Sequence, residues 1–192
     1  MTLILASSSP YRRELLQRLK LPFQCVSPDV DEQVRAGESP QALAQRLAKE
    51  KAARVLQSWP DALVIGSDQV ACCDGQAVGK PGTHQVAQAQ LRRFSNREVL
   101  FHTAVCVMDA RRMQQDIVTT QCGFLPLTDQ QIEHYLLAEQ PYDTAGSAKA
   151  EALGIALMAY MRSDDPSALI GLPLIAVCRM LREFGLDPLG NG

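Results

Sequence analysis

An α/β fold is predicted by three features of this 192-residue chain. Short, uniformly apolar runs stand at Leu3-Ile4-Leu5-Ala6 and Ala62-Leu63-Val64-Ile65, too short for helices and suited to buried strands. Each run empties into a polar turn, and segments with apolar residues at helical spacing lie between and after them. The length suffices for a real core without disulfides or metals, so residues 1–192 are expected to form one α/β domain, or a single domain with two lobes.

The first strand, residues 3–6, leads through Ser7-Ser8-Ser9 into a helix over residues 10–20, with Tyr11, Leu15, Leu16 and Leu19 at helical spacing. A second short strand is read at 23–26. Ser39 and Pro40 open a helix that carries Leu43, Leu47 and Val55 to about residue 57 and stops before Trp59-Pro60. The third strand, 62–65, runs into Gly66-Ser67-Asp68-Gln69 ahead of a hairpin turn at Asp74-Gly75. A helix over 83–94, long strands over 99–108 and 117–125 around Ala110-Arg111-Arg112, a helix over 128–139 capped by Thr128, and a helix over 172–184 ending at Gly185 complete the pattern.

Composition narrows the function classes. Lys and Arg number 19 against 21 Asp and Glu, a formal net charge of -2, so no polycationic surface drives binding of a nucleic-acid polymer. A nucleotide needs only a local basic pocket and stays open. The six cysteines lie mostly in apolar runs without C-x-x-C spacing, which argues for buried free thiols in a reducing compartment. No segment approaches the roughly 18 uncharged apolar residues of a membrane span, and no signal peptide is read, so a cytoplasmic location is expected.

Chemistry concentrates first at the strand-to-helix junction. Ser9 suits the N-cap and Pro10 the first helical position, which leaves backbone N–H groups facing whatever sits above the turn. Arg12 and Arg13 fall in the first helical turn, where a cation opposes the helix dipole unless an anion compensates, and two arginines there suggest phosphate. The loop lacks the glycines and G-K-[ST] of a P-loop. Asp68, just past its strand, is placed to face a cleft as a base or metal ligand. Asp31 and Glu32 add carboxylates, and Mg²⁺ typically takes one or two of these plus phosphate oxygens. Lys51 and Lys80, the latter held in a turn by Gly79 and Pro81, can supply point charges to a phosphate chain.

Five stretches in order, L-A-S-S-S-P-Y-R-R-E-L-L, D-V-D-E, L-A-x-x-K-A, I-G-S-D-Q-V with G-K-P, and A-G-S-A-K-A-E-x-x-G-I with I-G-L-P-L, make the chain resemble the Maf family of nucleoside triphosphate pyrophosphatases. The resemblance implies the Maf/inosine-triphosphatase type of α/β fold, an elongated mixed sheet with helices around a central cleft. It also implies hydrolysis between the α and β phosphates with a divalent metal cation such as Mg²⁺, Mn²⁺ or Co²⁺, and a homodimer. By the same resemblance Asp68 is the proton acceptor, Glu32 and Asp68 are the metal carboxylates, and Ser7, Arg12, Arg13, Lys51 and Lys80 hold the phosphates. Here F-H-T-A-V departs from the family's H-x-V-x-T-G, and His102 is read as structural.

Where many relatives carry arginine, threonine and glutamine, this chain has Tyr11, Gln69 and Glu151, a triplet similar to the branch that hydrolyses 7-methyl-GTP. The chemistry is consistent. N7-methylation makes guanine cationic, which favours stacking on the Tyr11 ring. Glu151 can accept from the guanine N1–H and 2-amino edge, Gln69 can complete it, and a carboxylate opposes the acceptor atoms of thymine or uracil. Two alternatives stay open at this point: a pyrophosphatase for dTTP, UTP or a modified pyrimidine nucleotide, and a nucleotide-binding regulator of division without important turnover.

Overall fold

The computed structural model describes residues 2–190. Strand β1 (Thr2–Ala6) lies parallel to both β2 (Gln24–Val26) and β3 (Ala62–Cys73). Parallel neighbours need crossovers, and α1 (Pro10–Gln17) and α2 (Pro40–Ser58) supply them. β3 then pairs antiparallel with β4 (Gln76–Val78) and β5 (Glu98–Met108), β5 with β6 (Met113–Phe124), and β6 with β7 (Met158–Arg162). The order across the mixed sheet is β2-β1-β3-β5-β6-β7, with β4 on β3.

β3 corrects one sequence expectation. It does not end at Ile65 with Asp68 beyond it; it runs for 12 residues, and Asp68 sits in its middle. The cause is β5, which pairs with β3 continuously from Val64 to Cys72 and keeps the polar stretch extended. The other edge of β3 is interrupted. β1 leaves it at Gly66 and β4 joins it only at Ala71, so Ser67, Asp68, Gln69 and Val70 have one edge without a strand neighbour.

The strand period of two then sorts the core. Leu63 and Ile65 face Leu15 and Leu16 of α1 and Val177 and Met180 of α5 (Leu174–Glu183). Val64 and Val70 face α2 through Leu43, Leu47 and Val55. Gly66 permits that contact: a Cβ there would lie 2.2 Å from the Ala48 carbonyl oxygen and 2.7 Å from the Ala52 nitrogen. Farther along the sheet, Ala71, Cys73 and Phe101 pack under α3 (His84–Phe94) and α4 (Asp129–Glu139), with Phe94, Ile132 and Leu136 filling the layer.

Ser9, Ser39 and Thr128 cap their helices as expected, Thr128 within a capping box with Gln131. The Asp74-Gly75 hairpin turn is present, both residues having positive φ. Cys72, Cys73, Cys106 and Cys122 are buried free thiols, and burial pushes Cys106 and Cys122 up to about 12; Cys25 is exposed. β7 is an element the sequence pattern did not disclose. Its Tyr160 ring covers Gly123, the hydroxyl donates to Glu98 at 2.7 Å, and the Arg162 guanidinium lies 4.6 Å from the ring centroid. No helix among the described residues is long and apolar enough to cross a membrane.

The Gly66 contact yields a stability prediction. Gly66→Ala forces the α2 backbone off the strand, and chemical denaturation should show a loss of about 1–3 kcal/mol.

Candidate active site

Where β3 lacks a neighbour, a cleft of about 610 Å³ opens. Its lining brings together Ser7, Tyr11, Arg12, Glu32 and Lys51 with Asp68, Gln69, Lys80 and Glu151, residues spread over most of the chain. The end of β1 delivers Ser7, whose buried Oγ accepts from the Ser9 N–H at 3.1 Å and keeps its own proton for a ligand. Lys80 is exposed on the loop between β4 and α3.

Arg13 does not join them. It is exposed and lines a separate groove with Gln17, Phe23 and Cys25. Helical geometry is the reason, since neighbouring residues point about 100° apart and α1 directs Arg12 inward and Arg13 outward. The expected pair of phosphate arginines is reduced to one on the cleft side.

At the centre lies a lysine held by two carboxylates. Lys51 Nζ is 2.6 Å from Asp68 Oδ1 and 2.6 Å from Glu32 Oε1. The Lys51 and Asp68 side chains are only 8% and 11% exposed, while Glu32 is 55% exposed, so one carboxylate is enclosed and the other opens to the cleft. Even so, burial pushes the Glu32 carboxyl upward, but the hydrogen bond from Lys51 and the charges of Lys51, Lys80 and Arg12 outweigh it, leaving a net downward shift. Arg46 holds the loop that carries Glu32, through the Gln33 carbonyl at 2.9 Å and the Glu38 carboxylate at 2.6 Å.

On the opposite face of β3 the side chains meet the 3-10 turn Ala168–Ile170 and Gly171. Arg12 Nε donates to the Gly171 carbonyl at 2.8 Å, and Ser67 Oγ lies 3.0 Å from the same oxygen. Burial draws the Arg12 pKa down, with Asp68 and Glu32 opposing. Gln69 Nε2 donates to the carbonyls of Leu169 at 2.8 Å and Ala168 at 3.1 Å, with Thr103 Oγ1 at 3.0 Å. That commits the amide nitrogen and leaves Oε1, an acceptor, for the cleft. Sequence reasoning missed Ser67 and this turn because it ended the strand too early; alternation through I-G-S-D-Q would have set Ser67 and Gln69 on one face and Asp68 on the other.

Tyr11 and Glu151 line the same cleft. The Tyr11 ring is half-buried, with Lys149 Nζ 5.8 Å from its centroid. Lys149 in turn lies 3.8 Å from Asp143. Burial raises the Glu151 pKa above its ordinary value; a backbone hydrogen bond and Lys149 oppose the rise, and Glu139 and Asp143 add to it. His102 lies outside this lining, bonded through Nδ1 to Thr119 Oγ1 at 2.9 Å, with a buried Nε2 that has no partner.

Fold and cleft define an α/β protein of the HAM1 architecture with a polar site at an interrupted sheet edge. A HAM1 protein from Coxiella burnetii superposes with a TM-score of 0.50 at 17% identity, covering 95% of this chain and 100% of its own. The chain belongs to the Maf family: the model for Maf-like proteins matches residues 2–184. A 7-methyl-GTP pyrophosphatase from Bordetella avium is 62% identical, over 97% of this chain and 95% of its own. One from Methylobacillus flagellatus is 55% identical, over 96% and 97%.

The Lys51 bridge is open to a direct check. Lys51→Met leaves Asp68 buried without its cation, and denaturation should register a loss of about 3–5 kcal/mol. In the same variant the Glu32 carboxyl should titrate at higher pH than in the wild type, as read from carboxyl carbon NMR shifts. The sign follows from the depressed native pKa: the Glu32–Lys51 contribution is present above the unfolded value and is lost as pH falls through the folded one.

Proposed function

We propose that this chain hydrolyses the α–β phosphoanhydride of 7-methyl-GTP to 7-methyl-GMP and diphosphate, acting as a single catalytic domain. The observation that carries this reading is the convergence, in one cleft, of the Lys51–Asp68–Glu32 cluster with Tyr11, Gln69 and Glu151. The names of relatives at 62% and 55% identity support the same substrate.

In this reading the triphosphate lies along Ser7, Arg12, Lys51 and Lys80. Asp68 accepts the proton of the attacking water, and Lys51 fixes the orientation of its carboxylate. The cations at the cleft offset charge that builds on the departing diphosphate, so positioning and electrostatics carry the rate. A divalent cation fits the donors. Glu32 and Asp68 each give one oxygen to Lys51, so Glu32 Oε2 and Asp68 Oδ2, together with phosphate oxygens of the substrate, are the hard donors that would hold it. When bound, it supplies further neutralisation of phosphate charge.

At the base end, the cationic purine stacks on the Tyr11 ring face turned away from the Lys149 ammonium. The Glu151 carboxylate and Gln69 Oε1 are acceptors, matching the N1–H and 2-amino donors of guanine, while a pyrimidine would set its own acceptors against them.

A panel of 7-methyl-GTP, GTP, dTTP and UTP, with diphosphate and orthophosphate measured separately, tests reaction and base choice together. Diphosphate release with the highest kcat/KM on 7-methyl-GTP is expected; orthophosphate release or a pyrimidine preference would overturn the reading. Asp68→Asn should stay folded by circular dichroism and lose about 10²–10⁴-fold in kcat.

Selectivity is checked at Glu151 and Tyr11. Glu151→Gln and Tyr11→Arg should each lower the 7-methyl-GTP to GTP ratio of kcat/KM by about tenfold, the scale of one lost recognition contact. In the wild type this ratio should fall on acidification as Glu151 takes up a proton, starting at higher pH than an ordinary glutamate would give. Glu151→Gln should abolish that pH dependence.

A further inference from the structure

The turn that supports Arg12 and Gln69 rests on a buried acid that the proposed chemistry does not use. Ala168–Ile170 is one 3-10 turn, and Gly171 follows it at φ 119°. Its outward carbonyls receive side chains: Gly171 holds Arg12, Leu169 holds Gln69, and Ala168 takes Thr103 Oγ1 at 2.8 Å. A turn this short, loaded on its carbonyl side, needs bracing from elsewhere.

Asp165, 2% exposed, provides it. Its Oδ1 accepts from the Ser167 N–H at 2.9 Å and lies 2.5 Å from Ser167 Oγ, and its Oδ2 accepts from the Ile175 N–H at 2.7 Å. Ser167 Oγ accepts from the Leu174 N–H at 2.8 Å and lies 2.9 Å from the Leu172 carbonyl oxygen. Two side chains thus join the start of the turn to the beginning of α5, and the intervening carbonyls are fixed between them. The clasp is tied to the sheet, since Thr120 Oγ1 on β6 donates to Ser163 Oγ at 2.9 Å, which donates to the Asp165 carbonyl at 2.9 Å.

We infer that Asp165, acting with Ser167 through the Ala168–Gly171 turn, is a positioning residue that sets Arg12 and Gln69 toward the substrate; this rests on the activity proposed above. Every hydrogen bond of the Asp165 carboxylate is an accepted one. Asparagine would set a donor against the Ile175 N–H in one amide orientation and against the Ser167 N–H in the other. The turn then shifts, and with it the phosphate arginine and the base-facing amide. Ser167→Ala removes the second half of the clasp without adding a donor.

The test compares kcat/KM for 7-methyl-GTP and UTP, which differ at the base edge that Gln69 meets, in the wild type, Asp165→Asn, Ser167→Ala and Ser167→Thr, alongside Tm. A ratio of two substrates on one preparation is independent of the folded fraction, so a merely structural role would not move it. Asp165→Asn and Ser167→Ala should lower the ratio about tenfold, the loss expected of a small misplacement, with KM rising more than kcat falls. Ser167→Thr, which keeps the hydroxyl, should retain it. If Asp165→Asn does not fold, the Ser167 pair decides. An unchanged ratio with lowered Tm overturns the inference. Should the wild type prefer another nucleotide, the ratio is taken between its two best substrates; failure of the activity then shows in the wild type, and failure of the positioning role only in the variants.

Discussion

The missing strand neighbour along one edge of β3 is the constraint on which the rest of the molecule depends. β5 holds this strand from Val64 to Cys72, while β1 leaves the other edge at Gly66 and β4 arrives at Ala71. Four residues therefore lie extended and rigid yet open on one side. Alternation sends Asp68 to the α2 face and Ser67 and Gln69 to the other, so one interruption serves two sets of partners. A loop could present the same residues, but not with their backbone fixed by an adjoining strand.

Energetics at the cleft favour pre-formed polar contacts over dependence on a ligand. A cation in the first turn of α1 opposes the helix dipole by about 0.3–1 kcal/mol. The hydrogen bond from Arg12 to Gly171 involves a charged donor and contributes about 1.5–3 kcal/mol, so the arginine is held whether or not an anion is present. Lys51 is more strongly constrained. Its stem is buried among α2 neighbours, and its ammonium serves Asp68 and Glu32 together, so loss of the cation is felt at both.

Charge differs along the cleft in a way that suits a ligand with two unlike ends. Around Ser7, the cations Arg12, Lys51 and Lys80 stand with the carboxylates of Glu32 and Asp68. Around Tyr11 the lone Lys149 is set against Asp143, Glu139 and Glu151, all of which appear in the electrostatic surroundings of that lysine or of Glu151. An anionic chain and a cationic ring would each find groups of opposite charge in this lining. The carbonyls of the Ala168–Gly171 turn connect Arg12 and Gln69, which lean on the same short segment.

By itself the sequence determined the caps, the helices, most strands and the residue types of the site, because these are written in local spacing: Ser9-Pro10 at a helix start, Asp74-Gly75 in a hairpin, Leu43 and Leu47 on one helical face. Tertiary structure decided what depends on a distant partner. β3 extends through Asp68 because β5 pairs with it, β7 exists by its pairing with β6, where Tyr160 covers Gly123, and Arg13 leaves the cleft because α1 docks with Arg12 toward Gly171. It also decided that Lys51 bridges Glu32 and Asp68, and that the Gln69 amide nitrogen is committed to residues about 100 positions away in the chain. Local periodicity carries no record of such pairings; they follow from which edges and faces meet when the core closes.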